Sequence, residues 1–371
     1  MIWYKKIGFI LIPAIFLSFQ GNAQSGLLDK QALLPVVRQA LSMTYNFKFD
    51  LARENLKVIR KEIPDHPATT FLEALILYWE NYPLTINNPE ASRFLNLMEE
   101  TSTKAEKMVE NNRDDSEGLF FALFSRAFII MYWSDNGKAS KAFSYLNHMY
   151  NQMLKGMEKK DEFTEFYFSS GLYNYYIEAY PDKHPVFKPV KILFKSGNKA
   201  QGLRELEYCA ANSVYLRVES KYFLSLIYSS YENNIRKASE YAASLYREFP
   251  NNPCYSGNYA ETLLFDKKYQ MAEVVLANLS RIKSPFAGLQ THVLNGYLLD
   301  KYYNDQEAAF HEFNKGLRLT DQFGEMASRY KVIAWMGLGR YYRKQGNSEE
   351  ASKYFKMARN ESSYEYLVED K

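Results

Sequence analysis

The stretch "WMGLGRYYRKQGNSEEASKYFKMA", Trp335 to Ala358, decides how the rest of the chain is read. Small or aromatic residues stand at Trp335, Leu338, Gly339, Tyr342, Gly346, Ala351, Phe355 and Ala358. Two helical periods lie on either side of the turn "KQGNS", and in each a large residue meets a small one at three- or four-residue spacing. Gly339, Ala351 and Ala358 lack bulk, so two antiparallel helices can nest closely. Trp335, Tyr342 and Phe355 fill the space beside that contact. The stretch reads as a helix-turn-helix hairpin.

In this order of Trp, Leu, Gly, Tyr, Gly, Ala, Phe and Ala the hairpin resembles the tetratricopeptide repeat, a 34-residue family, at all eight positions. Only the closing proline departs, being Ser363 here. The pattern recurs upstream. Tyr222 takes the tryptophan place of a unit whose helix-packing residues are Ala238 and Ala242 and whose closing proline is Pro250. Ala272 follows Ala238 by 34 residues, and Pro285 ends that unit. Ala309 and Gly316 repeat the seven-residue spacing of Ala351 and Ala358. Near the start, Ala40, Ala52, Ile59 and Pro64 fall at intervals of 12, 7 and 5, the same intervals that run from Gly339 to Ser363.

Between residues 69 and 212 the pattern stretches. Helices are expected at 69–82, 89–110, 116–134, 138–155, 162–180 and 199–212, separated by breaker-rich connectors such as "NYPLTINN" and "NNRDD". Paired in order they give three longer hairpins. The resemblance implies an all-α, right-handed α-solenoid of about eight helical pairs, each burying its face on its neighbours. The expected organisation is a cleaved signal peptide over residues 1–23 and a single solenoid over 24–371. Within it, 24–68 is an N-terminal repeat, 69–212 the longer divergent hairpins and 213–371 the more regular repeats.

The signal reading rests on "MIWYKKIGFILIPAIFLSFQGNAQS". Lys5 and Lys6 precede thirteen uncharged residues from Ile7 to Phe19, and small residues follow at Gly21 and Ala23. That order of basic, apolar and small segments marks export, with cleavage after Ala23 and a periplasmic destination in a Gram-negative cell. No cysteine lies near the cut to carry a lipid. No integral membrane anchor is expected after cleavage. Because residues 1–23 hold two lysines and no acid, the formal charge falls from +3 to +1 on removal. A near-neutral chain is expected to carry neither a basic field for nucleic acid nor a polybasic membrane patch. The composition, 47% hydrophobic and 16% aromatic, supplies ample core. Cys209 and Cys254, the only two cysteines, fall two repeats apart and are expected as buried free thiols.

The aromatic stretch "GLYNYYIEAYPDKHPVFKP", Gly171 to Pro189, divides in two. Gly171 belongs at a helix contact, so Tyr173 and Tyr176 are expected within a packed helix. Pro181, Pro185 and Pro189 are expected to end it and stiffen an eight- to ten-residue connector that offers His184 and Phe187 for binding.

Catalytic chemistry is not evident. His66, His148, His184, His292 and His311 are dispersed without an HxxxH or HExxH pair, so neither a metal nor any other cofactor is expected. The GxG of "GLGRYYRKQG" follows no strand, "NNRDDSEG" lacks the alternating ligands of a calcium loop, and no GxSxG is present. Function is therefore expected on the surface that stacking creates. The first helix of each pair lines the concave side, and the resemblance implies groove positions at Phe223, Asn258, Glu261, Tyr297, Arg340 and Arg343. Arg340 and Arg343, about one turn apart, suit a carboxylate or a peptide terminus. The expectation is a non-catalytic scaffold for a protein or peptide partner. Two others stand beside it: an envelope protein that binds a small ligand or glycan on aromatic platforms, and an α/α-toroid carbohydrate enzyme, which needs a pair of positioned carboxylates.

Overall fold

A computed structural model describes Leu27, Lys30, residues 32–362 and residues 364–369. The expected signal peptide and Ser363 lie outside the described residues, as does the side chain of Phe187.

The described chain is helical from end to end and folds as eight antiparallel pairs. These are α1 (Leu34–Tyr45) with α2 (Phe49–Glu62), α3 (Pro67–Glu80) with α4 (Ala91–Asn111), and α5 (Ser116–Asp135) with α6 (Phe143–Glu158). Next come α7 (Phe166–Lys183) with α9 (Lys199–Asn212), the four-residue α8 (Lys188–Lys191) lying in the link between them. The last four are α10 (Arg217–Ser230) with α11 (Ile235–Glu248), α12 (Pro253–Phe265) with α13 (Tyr269–Leu279), α14 (Pro285–Leu298) with α15 (Gln306–Leu317), and α16 (Ser328–Lys344) with α17 (Ser348–Glu361). A short helix, α18 (Glu365–Val368), follows.

The starts of many helices are written in single residues. Asp115, Asn198, Asn234, Asn252, Asp305 and Asn347 each cap a helix by accepting a backbone N–H of its first turn. α10 has no such residue, and Glu165, just before α7, instead fixes the turn that leads into it. Its carboxylate accepts the N–H groups of Val214, Tyr215 and Leu216 at 2.5, 3.1 and 2.9 Å.

Burial sorts the helices into two layers. In α12 every residue from Pro253 to Leu264 is buried, and in α3 every residue from Pro67 to Trp79 except Glu73. In α2 only Ala52, Leu56 and Ile59 are buried, and in α17 only Ala351, Phe355 and Ala358. First helices are therefore enclosed and second helices are amphipathic, the arrangement of an inner layer wrapped by an outer one. Neighbouring first helices also touch, α1 with α3, α12 with α14 and α14 with α16, which curls the array with these helices on the inside.

The curl closes on itself. Tyr45, at the end of α1, packs on Phe249 and Tyr255 with ring centroids 5.4 and 6.3 Å away, and Asn252 Nδ2 donates to its carbonyl at 3.2 Å. Trp79 meets Tyr255 at 5.6 Å, Tyr82 meets Phe286 at 5.7 Å, and Phe120 lies over Tyr215 at 5.2 Å. The small-ligand or glycan expectation puts aromatic rings on the surface as binding platforms. The structure corrects it: over the first half of the inner wall, the rings pack against the second half and are core.

Small residues set the closest helix contacts. A Cβ on Gly171 would stand 2.8 Å from Leu206 Cγ, and one on Gly202 would stand 2.7 Å from the Gly171 carbonyl oxygen, so α7 and α9 touch through backbone. A Cβ on Gly339 would stand 2.5 Å from the Phe355 ring, the contact that the terminal hairpin implied. Cys209 and Cys254 are both buried and free, on α9 and α12.

The proline-rich stretch departs from expectation. α7 continues through Pro181 to Lys183, because a proline in the last turn removes only one helical hydrogen bond. The link that follows spans residues 184–198 and carries two short helical turns, at Pro185–Phe187 and Lys188–Lys191.

Candidate binding groove

What remains of the concave side lies on α7, α10, α12, α14 and α16. The inner wall there carries polar groups in places where a core would want none. Glu261 on α12 is 1% exposed and pairs with Arg329 Nη1 of α16 at 3.2 Å. Burial raises the Glu261 carboxyl above its usual range, against the pull of Arg329 and of a hydroxyl that donates to it. Burial also works against the charge of Arg329, but Glu261 and the surrounding tyrosines outweigh it and hold the guanidinium protonated. Further along α16, Arg340 Nε meets Asp300 Oδ2 at 2.6 Å, with both side chains buried. Tyr297 lies under that guanidinium, 5.8 Å from its ring centroid, and Gln306 Nε2 donates to the other Asp300 oxygen at 3.0 Å. Asn258 Nδ2 donates to Ser225 Oγ at 2.9 Å and so ties α12 to α10.

This wall is covered by the segment Tyr364–Glu369. Tyr364 packs on Tyr231 at 5.6 Å. Glu365 pairs with Lys183 at 3.1 Å and accepts from Asn233 Nδ2 at 2.6 Å. Tyr366 sends its hydroxyl to Glu261 at 2.9 Å, sets its ring against Phe265 at 5.1 Å and lies 6.0 Å from the Arg329 guanidinium carbon. Leu367 is 4% exposed. Beside the segment a cleft of about 280 Å³ stays open, lined among others by Phe265, Tyr297, Met336 and Arg340. A larger cleft of about 840 Å³ opens among α13, α14 and α15; the Glu312 carboxylate on its wall is already held by His292 and Lys315, each at 2.7 Å.

The residues that the repeat register singled out are therefore placed unevenly. Asn258, Glu261, Tyr297 and Arg340 come together on the inner wall, but all except Tyr297 are buried. Arg340 was expected as an exposed groove cation, and the structure corrects this: its charge is committed to Asp300 in the interior. Arg343 is exposed and lies over the Phe355 ring at 5.4 Å, toward the second helix of its own hairpin. Phe223 packs on Phe168 at 5.5 Å. His184 closes α7 with its ring on Tyr180 at 4.2 Å, and burial lowers its pKa. Sequence reasoning missed Asp300, Arg329 and Tyr366. Asp300 sits in a π-helical turn, Leu299–Tyr303, that the 34-residue register does not contain. Among the described residues, no three His, Cys, Asp or Glu side chains gather as a metal-binding set.

The fold and groove define a class: a curled array of antiparallel helical hairpins, with its concave wall partly occupied by its own chain. No family model matches the chain, and no curated protein matches it in sequence. Among solved structures it is similar to a human IFIT1 dimer with PPP-AAAA, at 14% identity and a TM-score of 0.42, over 84% of this chain and 68% of that one. It is also similar to yeast Tom70, at 12% identity and a TM-score of 0.26, over 91% of this chain and 93% of that one. At these TM-scores the likeness carries no inference about a ligand.

Proposed function

We propose that this protein is a non-catalytic scaffold that holds a short segment of a protein partner against the inner wall of α10, α12, α14 and α16. One observation carries the reading: the wall already receives a peptide segment, Tyr364–Glu369, through an anchored tyrosine, a buried leucine and a paired carboxylate. A surface that binds an aromatic-aliphatic segment in cis has the features needed to bind one in trans: an apolar seat for side chains and fixed polar partners that set the register. The order of basic, apolar and small residues over 1–23 supports a site of action outside the cytoplasm.

The test is site-specific photo-cross-linking in the producing cell. A photoreactive phenylalanine in place of Tyr297 faces the groove; one in place of Val274, 69% exposed on the outer helix α13, serves as control. In a chain that also carries Y366A/L367A, so that the seat is open, the reading expects discrete adducts from position 297 that are absent from position 274. Equal adducts from both positions, or none from 297, would count against it.

A further inference from the structure

The link between α7 and α9 is the part of the surface that packing explains least. Across residues 184–198 it contains Lys188, Lys191 and Lys195 and no acidic residue. Three large aliphatic side chains stand out from it, Val186 at 78%, Ile192 at 85% and Leu193 at 80% exposure. The exposure is not that of a loose loop, because its backbone is tied at the base. Lys195 donates its N–H to the Tyr150 hydroxyl at 3.4 Å and accepts the Tyr173 hydroxyl at 2.5 Å. Gly197 N–H donates to Glu178 at 3.1 Å, and the same carboxylate pairs with Lys191. The apolar surface also extends beyond the link. Phe194 packs edge-on against Tyr150 at 5.3 Å, and Tyr150 shares a face of α6 with Phe143 and Leu146, which are 68% and 37% exposed.

We propose that this link docks the protein onto an anionic membrane surface, with Ile192 and Leu193 entering the headgroup boundary and Lys188 and Lys195 meeting lipid phosphates. Lysine is depleted at the centre of protein–protein contacts, whereas lysines beside protruding aliphatic side chains are what an anionic lipid surface attracts. The link carries no carboxylate of its own, and the charge of Glu178 beside it is balanced by Lys191, so little repulsion meets such a surface. Tethering at Lys195 and Gly197 holds the apolar tips outward before contact, so little ordering is required on binding.

Both native cysteines are buried, Cys209 at 0% and Cys254 at 6% exposure, so L193C in the full chain can be labelled selectively with an environment-sensitive fluorophore. The probe surfaces are vesicles of phosphatidylcholine with phosphatidylglycerol, and of phosphatidylcholine alone. The expected result is a blue shift on the anionic vesicles that salt reverses, with no shift on the neutral ones. In co-flotation, K188A/K195A and I192E/L193E should each lower partitioning to anionic vesicles at least roughly tenfold, with far-ultraviolet circular dichroism unchanged. A label that stays in water on anionic vesicles would overturn the proposal, as would partitioning that both variants leave intact. A discrete protein partner that the link captures without any vesicle binding would also overturn it.

Discussion

Tyr366 donates its hydroxyl to Glu261 across 105 residues of sequence, at 2.9 Å, and closes a triangle with Arg329 on the inner wall of the array. The two ends of that contact do unequal work. Glu261 balances a guanidinium that is largely enclosed, while Tyr366 adds one hydrogen bond to that carboxylate and a ring. Tyr366→Phe is predicted to cost about 1.5–3 kcal/mol in urea unfolding, the range for a hydrogen bond to a charged group. Glu261→Gln, which leaves Arg329 without its counter-charge, is predicted to cost about 3–5 kcal/mol. Equal costs for the two would mean that the pair is not buried in solution.

The two arginines that sequence spacing groups together should behave differently. Arg340→Ala strands Asp300 in the interior and is predicted to destabilise by about 3–5 kcal/mol. Arg343→Ala removes an exposed guanidinium that lies over the Phe355 ring and should cost no more than about 1 kcal/mol. Thermal and urea melts of the two single variants check this directly.

Gly339→Leu forces a side chain into the space the Phe355 ring fills, since even a Cβ there stands 2.5 Å from the ring. The predicted loss is about 1–3 kcal/mol or more, with fraying of the α16–α17 hairpin visible by hydrogen exchange. Gly339→Leu combined with Phe355→Ala should recover part of the loss. No recovery would show that the helices do not meet through this pair.

Stability should rise as pH falls from about 8 to about 5. Burial lifts the Glu219 carboxyl to about 7, with the Tyr45 hydroxyl that donates to it pulling the other way. Burial likewise lifts Glu165 to about 7, against its three backbone N–H donors. Above that range the folded state holds charges that the unfolded chain solvates freely, so the penalty is complete there. It is relieved as pH falls toward the unfolded value near 4.5. Carboxyls held below their usual range by cations, such as Glu73 with Arg60 and Arg93, lose their contribution only at lower pH. The half-buried imidazole of His184 opposes the trend and offsets part of the gain below about pH 6.5, without matching two carboxyls lifted to about 7. Glu219→Gln should flatten the dependence of melting temperature on pH. A melting temperature that climbs from pH 5 to pH 8 would contradict the placement of both carboxyls.

The helical pairs were legible because their signals are local. The Gly339, Ala351 and Ala358 spacing marks a hairpin whichever way the array curves. The cap at Asn198 and the end at Asn212 set α9 at the bounds expected for it. Proline was over-read at Pro181, where its position in the last turn matters more than its presence. The groove was harder, because it depends on relations that no window of sequence contains. The register assigns Arg340 to a concave position, and the concave side is solvent only if the array stays open. Once Tyr45 reaches Phe249 and Trp79 reaches Tyr255, much of that wall becomes interior, and a cation on it needs a partner such as Asp300. The polar stretch "SSYEYLVEDK" likewise gives no sign that Tyr366 and Leu367 will turn back onto α12 and α16.

The central claim is that the inner wall of α10–α16 is a seat for peptide segments. It is tested most directly by supplying the segment in trans. A chain ending at Ser362 is titrated with a fluorescent peptide of residues 362–371, and the full chain carrying Y366A/L367A is run alongside in case the shortened chain folds poorly. The account predicts saturable binding to whichever of these chains is folded, competition by unlabelled peptide, loss with a peptide carrying Y366A, and little binding to the unaltered chain, whose seat is filled. A folded chain with its seat vacated that does not bind the peptide, or that binds both peptides alike, would contradict it.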